Sequence, residues 1–373
     1  MKNPYICFFG TYDRNFTSNK LLLEGLESIG VKVLQVNHEV KVTRLDTKEE
    51  MGWSKLLKRI VVKYGIFPEI VKKWHEIKKT DAIYVGYPGH FDVLLAWPVA
   101  KLLKKKLVFN PLVIFYTGFT EEQGILKKDS LLGKFSKWGE GFVYNLCDII
   151  FADTPLQEKF LIDVLNVKKE KIRILPLGAD ATYYRFTPYV NTSKKINVMY
   201  YGLYSPIHGV EHIIEAAKIL LDNKNIHFTF VGNGNTFQHN YDKAQKEKLT
   251  NCTFFYDKPM SEHPAIIETG DIFLGFLQKH PSVDRIIPNK IYQGLALNKV
   301  VLTADAPVVQ SMFKHKENMY FVPQADPKAF ANALEDLANN PQLRKKIAEN
   351  GYALFQKEFT PEKVSKKLVS YIT

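Results

Sequence analysis

The chain has 373 residues, 46% of them hydrophobic and 24% charged. That balance excludes a disordered, collagen-like or disulfide-scaffold protein, and at about 150 residues per domain the length predicts two domains. Fifty-one Lys and Arg against 39 Asp and Glu leave a net charge of +12, which predicts an anionic partner: a phosphorylated substrate, a membrane surface or a nucleic acid.

The opening MKNPYICFFG has too short an apolar run for a signal peptide and no cleavage site, and no stretch approaches the ~20 apolar residues of a spanning helix. A cytoplasmic protein is expected, free or on the inner face of the cell membrane. Cys7, Cys147 and Cys252 are scattered and each lies in or beside an apolar run, so buried, reduced thiols are expected.

Residues 5–9 read as a buried strand that stops at Gly10, and a polar loop, 11–18, follows. An amphipathic helix is predicted over 20–29, with Gly30 as its stop, and a second strand over 31–36. This β–loop–α–β unit builds parallel sheets. The pattern recurs: a strand over 81–86 runs into the turn YPGH, and a helix over 91–104 carries Pro98 as a kink. Short strands follow at 107–109, 149–152 and 172–175. Residues 178–195 are aromatic and polar without a period, and read as an interdomain linker.

The alternation then restarts. Strands are expected at 196–201, 227–231, 252–256, 272–276 and 300–303, with a helix over 210–221 and a basic amphipathic helix over 361–371. The reading is α/β, with two tandem Rossmann-like doubly wound domains facing an interdomain cleft. The expected divisions are 1–185, which takes the acceptor, 186–355, which takes the donor, and 356–373, a helix crossing back to the first domain.

Three segments carry a family resemblance. They are VMYYG (198–202) with PIHGVEHIIEAAK (206–218), FTFVGNG (228–234), and IPNKIYQGLALNKVVL (287–302). Together they resemble the donor domain of retaining glycosyltransferases of the GT-B fold, family 4. The resemblance implies a nucleotide-diphosphate sugar as donor (UDP or GDP) and a glycan or lipid-linked acceptor. It also implies retention at the anomeric carbon, and no bound metal or cofactor; a DxD motif is lacking. In this reading Gly202, His208 and Gly209 form a phosphate loop leading into a helix N-terminus. Gly232, Asn233 and Gly234 lie by the nucleotide base, with Tyr256, Lys258 and the 260–263 turn closing over it.

The sequence also departs from the family. Leu203 and His208 replace the basic residues of the first loop, and the paired glutamates fall at Arg285 and Gln293. Gln293 still reaches a ribose hydroxyl. Arg285, a donor only, replaces phosphate charge or holds an acidic sugar, with Asp284 left for sugar hydroxyls. Pro288, Asn289 and Lys290 open a helix where phosphate is expected. In the first domain Gly10 and Arg14 end the first strand, and His90 is expected to face the reacting sugar, with Asp92 as its neighbouring cap.

Residues 51–79 hold eight basic and two acidic residues interleaved with Trp53, Phe67 and Trp74. This segment is expected to meet an anionic membrane; no nucleic-acid partner is expected. The expected activity is a glycosyltransferase (EC 2.4) of surface polysaccharide or glycolipid assembly. The alternatives are a catalytically decayed nucleotide-sugar or glycan-binding protein and, more remotely, an epimerase of the same fold.

Overall fold

A computed structural model describes residues 3–40, 62–180, 183–256 and 262–373. The chain forms two compact units: residues 1–177 with 361–373, and residues 178–360.

Unit 1 holds six parallel strands in the order β2-β1-β3-β4-β5-β6. They are β1 (Tyr5–Gly10), β2 (Lys32–Asn37), β3 (Ala82–Val85), β4 (Lys106–Phe109), β5 (Ile149–Ala152) and β6 (Ile172–Ile174). β1, β3 and β5 are apolar at nearly every position because helices cover both faces of the sheet. One face packs Cys7, Phe9, Ile83 and Val85 under the helices His90–Leu103 and Leu131–Leu146. The other packs Phe8, Tyr84 and Phe151 with Leu26, Leu368 and Ile372. The last two come from the helix Pro361–Ile372, which lies on the helix Thr17–Ser28. A Cβ on Gly25 would sit 2.4 Å from the Pro361 carbonyl oxygen, so only glycine allows that approach. The helix His90–Leu103 runs unbroken through Pro98.

Unit 2 holds six parallel strands in the order β12-β11-β10-β7-β8-β9. They are β7 (Ile196–Tyr201), β8 (Ile226–Val231), β9 (Cys252–Phe255), β10 (Ile272–Leu274), β11 (Val300–Ala304) and β12 (Tyr320–Val322). The expected linker over 178–195 is part of this unit. Tyr184 and Tyr189 are buried. The wholly buried Arg344 guanidinium donates to the Tyr189 hydroxyl (2.8 Å) and to the carbonyls of Asn191 (3.2 Å) and Ser193 (2.6 Å). The dividing lines fall at 177/178 and 360/361, against 185/186 and 355/356 from the sequence.

Among the described residues no helix is long and apolar enough to cross a membrane. Cys7 and Cys147 are buried, whereas Cys252 is half-buried. Burial pushes the Cys7 thiol up to about 12.

Candidate functional site

In unit 2 the winding of the sheet reverses between β7 and β10: β8 and β9 extend one way, β11 and β12 the other. Ligands of such sheets lie outside the carboxyl ends of the strands at that reversal. Gly202 follows β7 there, and Phe276 follows β10.

Gly202 (φ 137°), Gly232 (φ 134°) and Gly234 (φ 140°) all take positive φ. A Cβ on Gly232 would lie 2.0 Å from the Gly202 carbonyl oxygen, so the two loops touch backbone to backbone. The Tyr204 N–H donates to the Asn233 carbonyl (2.7 Å) and locks them together. Gly209 (φ 70°) caps the helix Val210–Ile219, and a side chain there would meet the Gln278 nitrogen at 2.6 Å. That helix opens with Glu211, whose carboxylate accepts from Gln278 Nε2 (2.6 Å).

Lys290 enters from the first turn of the helix Asn289–Ala296. It is 7% exposed. Its Nζ lies 3.3 Å from His208 Nδ1, 4.1 Å from the Tyr200 ring centroid and 6.0 Å from that of Phe276. A Cβ on Gly202 would be 3.7 Å from the same nitrogen. No carboxylate pairs with this amine among the described residues. Burial alone pushes it down to about 7, because desolvation disfavours the ammonium. The Tyr200 hydroxyl, 2.8 Å from His208 Nδ1, fixes the imidazole. Asn289 Oδ1 is buried without a partner among the described residues.

The structure thus brings Gly202, His208 and Lys290 together, with the Gly232–Gly234 turn against Gly202. It gives other surroundings to the rest. Asp284 Oδ1 accepts from Gln324 Nε2 (2.7 Å). The Arg285 N–H donates to the Ser282 carbonyl (3.1 Å), and its side chain is partly buried. Gln293 is buried, and Pro288 is the N-cap of the Lys290 helix. Tyr256 is exposed and packs on Phe237. His263 Nδ1 faces the Tyr201 hydroxyl (3.3 Å); Lys258 and Met260 lie outside the described residues. Tyr200 and Phe276 were not singled out from the sequence, where they read only as core aromatics.

In unit 1 the corresponding reversal lies between β1 and β3. Gly10 (φ 136°) ends β1, and a Cβ there would meet Asp92 Oδ2 at 3.2 Å. Asp92 does not cap the His90 helix; Gly89 occupies the N-cap. The Asp92 carboxylate instead accepts from the Thr11 N–H (3.2 Å), the Thr11 hydroxyl (2.9 Å) and Lys63 Nζ (3.0 Å). Asn19 bonds to the Asp13 and Tyr87 backbones, and Asn37 to that of Tyr12, so the loop after β1 is held at both ends. Arg14 is exposed on it.

His90 is 6% exposed, and its ring stacks on Phe115 with centroids 3.8 Å apart. The Tyr144 hydroxyl donates to Glu140 Oε1 (2.5 Å), and so accepts from His90 Nε2 (2.9 Å). Glu140 also takes the Phe115 and Tyr116 N–H groups (2.8 and 2.7 Å). This network puts the His90 proton on Nε2 and leaves Nδ1 as a buried acceptor without a partner among the described residues. Burial, then the Glu140 carboxylate, holds the Tyr144 phenol well above its usual range.

Residues 186–354 match the family described as glycosyl transferases group 1. No curated protein sequence matches the chain. Among solved structures, Anabaena Alr3699/HepE in complex with UDP-glucose is similar at TM-score 0.69 and 13% identity, over 99% of each chain. Sucrose-phosphate synthase from Thermosynechococcus elongatus is similar at TM-score 0.70 and 15% identity, over 99% of this chain and 98% of its own. A glycosyltransferase from Rickettsia africae is similar at TM-score 0.66 and 13% identity, over 100% and 98%. Residues 186–354 are therefore a glycosyl transferases group 1 domain, and the chain is a glycosyltransferase with the GT-B fold.

Proposed function

We propose that the chain moves a sugar from a nucleotide-diphosphate donor, a UDP-sugar first, to a glycan or lipid-linked acceptor with retention. Unit 2 takes the donor and unit 1 the acceptor, in assembly of a surface polysaccharide or glycolipid. The observation that carries this reading is Lys290, a buried amine with no carboxylate beside it, at the strand ends where the sheet reverses. Such a group is stabilised when an anion arrives. A diphosphate supplies that charge, and His208 and the amides of the Gly202 loop supply donors around it. The Anabaena neighbour of the same fold binds UDP-glucose, which favours uridine among the bases.

In the step itself the bond between the anomeric carbon and the phosphate oxygen breaks, and a bond to the acceptor oxygen forms on the same face. The acceptor proton passes to the leaving diphosphate. Lys290 stabilises the charge that develops on that leaving group. The proposal includes no resident metal.

The test is thermal unfolding against nucleoside diphosphates and their sugars, run beside Lys290→Met. Selective stabilisation by one base, lost in the variant, supports the reading, because a ligand of the folded state alone raises its stability. No shift with any nucleotide at millimolar concentration overturns it. Binding without transfer or donor hydrolysis would instead favour a decayed binding protein, the reading motivated by Arg285 and Gln293.

A further inference from the structure

The helix Leu131–Leu146 in unit 1 is amphipathic the wrong way round. A helix on a sheet ordinarily turns its large apolar side chains inward. Here the buried residues are Gly133, Glu140, Gly141 and Tyr144. The two glycines permit close approach: a Cβ on Gly133 would lie 2.3 Å from the Lys127 carbonyl oxygen, and one on Gly141 2.1 Å from that of Leu165. Four large apolar residues point out as well. Leu131 is 87% exposed, Phe135 65%, Trp138 62% and Phe142 48%. Their spacing of four, three and four places them on one stripe. The three rings run along it, with centroids 5.8 and 5.6 Å apart.

The exposed charge on the helix itself has one sign. On this helix the exposed or half-exposed charges are Lys134 and Lys137, and its acid, Glu140, is buried. The loop before it adds Lys127, together with Lys128, which pairs with Glu121 (2.8 Å), and Asp129. The helix His90–Leu103, packed against it, exposes Phe91, Leu94 and Leu102 as well.

We propose that this outward face docks on an anionic lipid surface, with Trp138 and Phe135 in the headgroup–acyl boundary and Lys134 and Lys137 on the headgroups. Aromatic rings and snorkelling lysines on one helix face fit that boundary. A second copy of the chain fits less well. An isologous contact centred on the stripe would bring the two lysine pairs towards each other. The surface differs from the basic segment 51–79, of which residues 51–61 lie outside the described residues. In its described part Trp74 packs into the core, and Lys73 pairs with Glu69.

The inference stands apart from the donor reading. It is tested by sedimentation of the full chain with vesicles of 70% phosphatidylcholine and 30% phosphatidylglycerol, and with phosphatidylcholine alone, at low and high salt. Wild type is expected on the anionic vesicles at low salt only. The Phe135→Ser/Trp138→Ser chain should bind at least tenfold more weakly. Lys134→Gln should weaken partitioning about fivefold, as for one basic residue near an anionic surface. Both variants should keep the wild-type melting temperature within a few degrees, because the changed side chains are exposed. Three results overturn the proposal. One is wild type failing to sediment with anionic vesicles. Another is the double variant binding as wild type does. The third is light scattering that shows a dimer in wild type and a monomer in the double variant, which would assign the face to self-association.

Discussion

The amine of Lys290 faces Nδ1 of His208 across 3.3 Å, over the ring of Tyr200. A nitrogen cluster without a counter-charge is costly to hold protonated. Burial pushes the Lys290 amine down to about 7 in the folded protein, against about 10.4 in an unfolded chain. The unfolded chain therefore binds more protons between those values, and the stability of the ligand-free protein should rise as pH rises from about 7 to 10. Nucleoside diphosphate binding should restore the ammonium. Calorimetry in two buffers of different ionisation enthalpy should find uptake of about one proton at pH 8.5, little at pH 6, and none in Lys290→Met.

The buried carboxyl of Asp153, just past β5, gives the opposite slope. Burial pushes it up to about 7, and its Oδ1 has no partner among the described residues. A carboxyl with a raised folded value contributes stability below its unfolded value, and that contribution is lost as pH rises to the folded one. The loss from pH 4 to 7 should be on the order of 3 kcal/mol in urea unfolding. Asp153→Asn should flatten that limb and stabilise the protein at pH 8.

Gly232→Ala should cost about 3 kcal/mol or more, because its Cβ would overlap the Gly202 oxygen at a φ that L side chains rarely adopt. Gly139 provides the contrast. It lies in the helix Leu131–Leu146 with nothing within 4 Å of a new Cβ, so Gly139→Ala should gain about 0.5–1 kcal/mol. Thermal melts of the two variants should move in opposite directions.

Glu140 holds two backbone N–H groups and the Tyr144 hydroxyl, and its Oε1 lies 3.2 Å from His90 Nε2. Glu140→Ala should lose about 3 kcal/mol, since it leaves buried donors unmade. Glu140→Gln should retain one backbone acceptor and lose less. Two melts read at the same pH check the order.

Much of the fold could be read from sequence because β1 is an unbroken apolar run and β7 and β8 are mostly apolar, and all three run into a glycine. β12 (Tyr320–Val322) was not anticipated. The helix Leu131–Leu146 escaped because its outward aromatics and inward glycines invert the pattern that marks a helix. Residues 178–195 read as a linker because their partner, Arg344, lies far along the chain. At the candidate site the motif residues Gly202, His208 and Lys290 could be anticipated together. Tyr200 and Glu140 could not, since each acts through a neighbour that sequence spacing does not reveal.

The helix Pro361–Ile372 sets an order of manufacture. The six strands of unit 1 are all translated by Ile174, yet the cover for Leu22 and Leu26 comes from beyond residue 360. At about 5–20 residues per second the ribosome spends roughly ten to forty seconds on unit 2 in between. Throughout that interval the cluster of Phe8, Tyr84, Phe151, Leu22 and Leu26 lacks the cover of Leu368 and Ile372. The nascent chain needs protection there until its later half has emerged, so the part begun first is the part finished last.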